Sequence, residues 1–423
     1  MKDIMVGIDL HSNNLMLALM KLDGQRLFHK KLPCQFEGLE QALAPYKTRI
    51  DTIAVESTYN WYWLMDKLQS AKYKTVLANP AAMGQYEGIK HTDDQHDAFW
   101  LAEMLRLKIL PTAHIYDPVL RPVRDLLRRR LGLVRKRTAL ILSLESLHSR
   151  MHGQPLALGR IKQMSVDEIW RLFFHSADQL LAREDLRLIR EFDLSIERLE
   201  QRVLETTVKM SAYERLLTIP GIGKILGMTI ILEAGEIKRF ATPGDFASYC
   251  RCVRSERLSN QKKKGENNTK CGNRYLAWAF VEAANFAQRY DAQAQRFYQR
   301  KKAQRNLMVA TKALACKLAK AAWHVLSEEV DYDANRMWGN TGSKPTAKGN
   351  AASSTKMSLT HGTEVEPVNK KQAGEKIASP VEQTQLSGQA ALGVHSCRAL
   401  SSAGKKKSNK TRARRPEAKA KAK

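Results

Sequence analysis

Two apolar runs near the start of the chain each end in a carboxylate. Ile4-Met5-Val6-Gly7-Ile8 leads into Asp9, and Thr52-Ile53-Ala54-Val55 leads into Glu56. Runs this short and this apolar read as buried strands, and carboxylates at the tips of neighbouring buried strands meet at one edge of a sheet. An amphipathic segment then opens with Asp94 and Asp97, whose spacing of three puts both on one helical face. Acids gathered in this way cannot all stay ionised without cations. Two Mg²⁺ ions about 4 Å apart are the usual arrangement where phosphodiester bonds are cut.

Taken singly, each of these acids has a simpler reading. Asp94 and Asp97 favour the N-terminus of a helix, and Asp9 or Glu56 can end a strand without holding anything. Together, in this element order, they point to a metal site. Asp93 competes for one place. It lies four residues before Asp97 and Asp94 lies three before, so helical geometry admits either.

The rest of the chain is basic. Seventy Lys and Arg against 43 Asp and Glu leave a formal charge of +27 over 423 residues, which draws in a polyanion, and nucleic acid is the commonest. A membrane partner is not expected, because no apolar stretch reaches spanning length. The opening Met1-Lys2-Asp3-Ile4 leads into a strand without a secretory pattern, and six cysteines give no disulfide framework, so a cytoplasmic setting is expected. Cys250, Cys252 and Cys271 lack any Cys-x-x-Cys unit and read as buried thiols rather than zinc ligands.

Along the chain, Lys2–Leu10, Leu15–Leu22 and Arg26–Leu32 read as three consecutive antiparallel strands, with Asp23-Gly24 as the second turn. A helix over Phe36–Tyr46, the Glu56 strand, a helix over Trp61–Ala71 and a strand over Thr75–Ala78 follow, with a break at Asn79-Pro80. This order resembles the RNase H-like fold. From about 122 to 214 the chain is helical and charged. Ile189, Phe192, Ile196, Leu199 and Val203 form a heptad seam. An earlier helix carries Arg121, Arg124, Arg128, Arg129, Arg130, Arg135, Lys136 and Arg137, either a solvated face or an arm lying on nucleic acid or on another copy. A further unit runs from 215 to about 330. No aromatic residue follows Trp338, and ten basic residues with one acid fill Lys405–Lys423, so disorder is expected there.

Two motifs remain. In Leu216-Leu217-Thr218-Ile219-Pro220-Gly221-Ile222-Gly223-Lys224-Ile225 one helix ends, the chain turns and another begins. Gly221 and Gly223 let backbone N–H groups approach a phosphate, with the Lys224 charge beside them. The arrangement resembles the helix-hairpin-helix that grips nucleic-acid backbone; a plain turn is the alternative. The second motif is a polar, basic loop in which Ser259 sits among Arg254, Arg257, Lys262, Lys263 and Lys264. Cations suited to a phosphorane are present, but no histidine base is near, and by itself Ser259 reads as an ordinary loop serine.

Considered together, Gly7-Ile8-Asp9-Leu10-His11-Ser12, Val55-Glu56-Ser57-Thr58, Asp94-Gln95-His96-Asp97-Ala98 with Leu101-Ala102, Ile219-Pro220-Gly221-Ile222-Gly223, and Leu258-Ser259 before Gly272-Asn273-Arg274-Tyr275-Leu276 resemble the DEDD transposases of the Piv recombinase type, over about residues 3–325. The resemblance implies an α/β plus α chain. A RuvC-like, RNase H-like domain over 1–115 holds Mg²⁺ on Asp9, Glu56, Asp94 and Asp97, with Asp94 rather than Asp93 in the third place. A helical coiled-coil region over 116–212 and a mostly helical transposase domain over 213–330 follow, the latter with the helix-hairpin-helix and Ser259 as nucleophile. A disordered Lys-rich tail occupies 339–423.

It further implies DNA as substrate, a bridge RNA as guide, and a homo-oligomer (dimer or tetramer) in which acidic and serine domains of different subunits complete one site. A RuvC-like, Holliday-junction-type nuclease using water as nucleophile is the alternative. A non-catalytic binding protein with structural acids is a third class.

Overall fold

The structure, a computed structural model, describes residues 2–83, 93–253, 257–260, 262–265 and 271–339. Of the two units into which the chain divides, 1–372 and 373–423, the described residues all belong to the first. Apart from Gly339, the tail expected to be disordered lies outside them.

Near-continuous burial on both faces marks the central strands of the N-terminal sheet. Strands β1 (Ile4–Leu10), β2 (Asn14–Lys21) and β3 (Arg26–Pro33) form an antiparallel meander. Helix α1 (Phe36–Leu43) leads to β4 (Ile50–Glu56), which pairs parallel with β1. Helix α2 (Tyr62–Ser70) leads to β5 (Thr75–Ala78), parallel to β4. The order is β3-β2-β1-β4-β5-β6, where β6 (Thr112–Ala113) is a short antiparallel edge that the sequence pattern does not announce. Asn79-Pro80, read as a break, opens a one-turn helix, α3 (Pro80–Met83).

The two sheet faces differ in side-chain size. On one, Ile4, Val6 and Ile8 of β1 and Ile53 and Val55 of β4 pack with Leu39, Leu64 and Leu68. On the other, helix α4 (Asp94–Arg106) lies over Met5, Ala18, Ala54 and Ala78 through Ala98, Phe99, Leu101 and Ala102. Because strand side chains alternate, Gly7 and Asp9 share the α4 face with Met5, and Glu56 shares it with Ala54. Gly7 sets the approach: a Cβ there would sit 2.0 Å from the Ala98 carbonyl oxygen.

Helices α5 (Leu120–His152) and α8 (Ser176–Thr207) form a long pair, bridged by α6 (Leu158–Gln163) and α7 (Val166–Leu172). Ala182, Ile189, Ile196 and Val203, seven residues apart, are buried, whereas Phe192 and Leu199 are half-buried. Ile189 packs with Ile141 and Val203 with Leu127, so the heptad seam closes antiparallel within this chain.

The arginine-rich helix is not a solvated face throughout. Arg121 pairs with Asp66, Arg128 with Glu233, Arg130 with Glu200 and Arg137 with Asp193. Ion pairs to distant elements hold these arginines in place; Arg129, Arg135 and Lys136 are at least partly exposed. The sequence pattern could not show this, because the partner acids lie 55 to 105 positions away.

The remainder is mostly helical: α9 (Ser211–Leu217), α10 (Lys224–Ala234), α11 (Pro243–Tyr249), α12 (Arg274–Tyr290), α13 (Ala292–Gln304), α14 (Leu307–Ser327) and α15 (Ala334–Trp338). Phe246, Phe280, Leu276, Leu314 and Leu318 centre its core, with Trp278, Phe286 and Trp323 packed around them. Tyr290 is exposed rather than part of that core. The basic segment read as a loop contains a hairpin, β7 (Arg257–Ser259) with β8 (Lys262–Gly265). Among the described residues, no helix is long and apolar enough to cross a membrane.

Candidate active site

Asp9 ends β1 on the α4 face and is 3% exposed. Glu56 ends β4 beside it, because β1 and β4 run parallel with Ile8 opposite Val55. The Glu56 carboxyl is hydrogen-bonded to Asp9. Burial first, then this bond and the charges of Asp9 and Asp97, push its pKa up to about 8. Asp97, on the first turn of α4, is raised by burial and by Asp9. Burial beside other acids favours the neutral form of a carboxyl, and a cation bound there would favour the ionised form.

Asp93 and Asp94 separate clearly. The Asp93 side chain accepts from the His96 backbone N–H at 2.7 Å, so it caps α4. Asp94 points to the cluster: its Oδ1 lies 3.3 Å from His11 Nε2 and its Oδ2 3.0 Å from Lys31 Nζ, and the Lys31 bond holds its pKa low. His11 Nε2 is also 3.1 Å from Asp9 Oδ2. Asn60 Nδ2 donates to the His11 carbonyl at 2.9 Å, tying the loop after β1 to the loop after β4.

Ligand atoms of Asp9, His11 and Asp94 lie within 4.8 Å of one another. Glu56 and Asp97 join this group through Asp9. Hard carboxylate oxygens gathered at one sheet edge fit a divalent cation. His11 stands in the sequence motif without a role of its own. Its signal is its place two residues past Asp9, where a turn brings it back over the strand tip. Lys31, far along β3, carries no such signal.

Ser259 lies on the short hairpin. It is exposed on β7, paired with Lys262 across a turn in which Asn260 has φ +49°. Among the described residues, no hydrogen bond joins it to Asp9, Glu56, Asp94 or Asp97. Lys262 and Lys264 are exposed on β8, Lys263 lies between them, Arg257 starts β7, and Arg254 lies outside the described residues. Gly223 and Lys224 are exposed where α10 begins. Gly221 has a packing reason to be glycine: with φ +86°, its Cβ would lie 2.2 Å from the Ala283 carbonyl oxygen of α12. Cys250 and Cys252 are buried free thiols, and burial drives both pKa values up, that of Cys252 to about 12.

Comparison with known proteins adds an independent line. A family profile described as "Transposase", for DEDD transposases of the IS110 type, matches residues 6–152. A second, described as "Transposase IS116/IS110/IS902 family", matches residues 213–299. A Pseudomonas aeruginosa protein named "Probable family 20 transposase" is 24% identical over 338 residues, spanning 77% of this chain and 94% of its own. The "Transposase for insertion sequence element IS1328" of Yersinia enterocolitica is 24% identical over 335 residues, spanning 77% and 97%. The first profile contains Asp9, Glu56, Asp94 and Asp97; the second contains Ser259.

Proposed function

Because this chain belongs to the DEDD transposases of the IS110 type, enzymes that cleave and rejoin DNA, we propose that Asp9, Glu56, Asp94 and Asp97 hold Mg²⁺ at its reaction centre and that Ser259 is the nucleophile. One observation carries this reading: acids from β1, β4 and α4 meet at one sheet edge, where burial first and then Asp9 and Asp97 raise Glu56 to about 8. Three antiparallel strands followed by two parallel ones, with the acids at β1 and β4, also support an RNase H-like fold for the N-terminal region.

A divalent cation held by Asp9, Glu56, Asp94 and Asp97 would supply positive charge to offset the negative charge that builds up as the phosphodiester is cut. The Ser259 hydroxyl attacks the scissile phosphorus, a serine–phosphate ester forms, and the bond to the 3′ oxygen breaks. The serine proton goes to the His11 imidazole, and the 3′ oxygen leaves as a hydroxyl with that proton returned. Attack by another strand's 3′ hydroxyl reverses these steps. The ester conserves the phosphodiester's energy, so rejoining requires no nucleotide. Lys31 positions Asp94 by neutralising its outer oxygen.

Ser259 is exposed and without a bond to the acids, which favours delivery from a second copy of the chain in a homo-oligomer. The basic hairpin and the Gly223–Lys224 helix start would hold nucleic-acid backbone, with a bridge RNA selecting donor and target. Ser259→Ala and Asp9→Asn proteins, assayed for strand exchange on element-end DNA, test this. Both should lose exchange while binding duplex. Cleavage by Ser259→Ala through water would favour the junction nuclease instead, and full activity of Asp9→Asn would remove the metal site.

A further inference from the structure

A cavity of about 740 Å³ opens beside the acidic cluster, beginning with Ser57 and Thr58, the residues that follow Glu56 in the chain. Its lining is strongly one-sided in charge. Arg124, Arg128, Arg239, Arg251 and Arg274 face it, and among the described lining residues Asp125 is the one acid. Arg128 is already neutralised by Glu233, which it meets with two bonds of 2.5 and 2.7 Å.

Arg124 is not satisfied in this way. It is 3% exposed, its guanidinium stacks 3.6 Å over the Tyr116 ring, and one nitrogen donates to the Tyr62 hydroxyl at 2.7 Å. Its Nε and Nη1 have no hydrogen-bond partner, and Asp125 Oδ1 stays 4.0 Å from Nε. A buried guanidinium with unused donors is costly unless an anion or water completes it, and its planar fork matches a phosphate. His114, also on the lining, has its pKa lowered to about 4 by burial and by the charges of Arg239 and Arg124, as expected of a positive cleft.

Aromatic faces accompany the charge. Tyr59, 82% exposed on the loop after β4, and Tyr275, at the start of α12 with Arg128 and Arg274 over its ring, both line the cavity. Guanidinium groups with tyrosines suit a single strand, whose phosphates need cations and whose unpaired bases need a flat apolar partner. A duplex, with grooves about 12 and 6 Å wide and its bases stacked inside, cannot enter a space of this size.

We propose that this cleft seats one nucleotide of a single DNA strand next to the reaction centre, its phosphate on Arg124 and its base against Tyr59 or Tyr275. The assignment to DNA rests on the catalytic reading above, because the cleft starts where the Glu56 strand ends. Arg274, exposed and facing no carboxylate among the described residues, guides the backbone in.

The test uses the full chain and a 12-nucleotide deoxy-oligomer carrying 5-iodouracil, cross-linked by light and mapped by peptide mass spectrometry. Adducts at Tyr59 or Tyr275 are expected, and Arg274→Ala should lower the yield at Tyr59, whose ring Arg274 does not cover, about tenfold. Arg124→Gln should do the same if it folds; the Arg274→Ala result decides the matter if it does not. Adducts confined to other peptides, the Lys-rich tail included, overturn the proposal. So does an unchanged yield in Arg274→Ala, or labelling of these tyrosines by the ribo-oligomer alone. Glu56→Gln should keep the adduct and lose cleavage, so a Glu56→Gln protein that still cleaves refutes the catalytic reading without touching the cleft.

Discussion

Gly7→Ala is the sharpest perturbation of the acidic cluster, because it leaves every acid in place and moves only the helix that carries two of them. The added Cβ would lie 2.0 Å from the Ala98 carbonyl oxygen, 2.9 Å from the Ala102 nitrogen and 3.0 Å from the Leu101 Cβ. The first two are backbone atoms of α4, so no side-chain rotation relieves the clash. Restoring ordinary contact requires α4 to retreat by roughly 1.4 Å at that point. Overpacking of this kind costs about 1–3 kcal/mol. The same retreat draws Asp94 and Asp97 away from Asp9, and misplacement of about 1 Å costs on the order of 100-fold in rate.

The assay is DNA strand cleavage at saturating Mg²⁺, beside urea denaturation in EDTA. Gly7→Ala should lower the urea midpoint and reduce cleavage about 100-fold. Ala98→Gly, which leaves the clashing carbonyl in place, should not restore activity. Wild-type cleavage with a wild-type midpoint in Gly7→Ala would refute the idea that the β1–α4 distance sets the site.

Glu56 titrates near 8 in the folded chain and near 4.5 when unfolded, so the folded state holds the extra proton. Without a cation, the contribution of Glu56 should be fully present below about pH 4.5 and be lost as pH rises through about 8, and Glu56→Gln should remove that part of the slope in urea midpoints taken in EDTA at about pH 5.5 and 8. Glu233 is 1% exposed, held by Arg128 and by Asn273 Nδ2 at 2.7 Å. Arg128→Ala should therefore destabilise by about 3–5 kcal/mol in urea unfolding, and the Glu233→Gln, Arg128→Met double variant by clearly less. Ile196→Ala should cost about 2–5 kcal/mol, by the same amount at low and high protein concentration, because its seam closes within one chain.

Much of the N-terminal sheet was legible because strand periodicity is local. Thr75–Ala78 matches its expected bounds, and the three meander strands shift by no more than two residues. The hairpin carrying Ser259 was less legible: Leu258 aside, Arg257–Ser259 and Lys262–Gly265 hold no large apolar residue, so they show no alternation. Spacing could not decide between Asp93 and Asp94. Adjacent acids at a helix start look alike until hydrogen bonds form, and here the His96 backbone N–H closes the cap on Asp93 while Asp94 faces His11 and Lys31.

From residue order alone came the strand-tip position of Asp9 and Glu56 and the face that each shares with Gly7 and Ala54, because a period of two needs no distant partner. Tertiary structure decided everything that depends on who meets whom. It drew α4 against β1 through the missing Cβ of Gly7 and placed His11 and Lys31 against Asp94. It also turned the arginines of α5 inward to Asp66, Glu233, Glu200 and Asp193 and left Arg124 with donors to spare. Charge has no periodicity that names its partner, so those pairings exist only once the chain has folded.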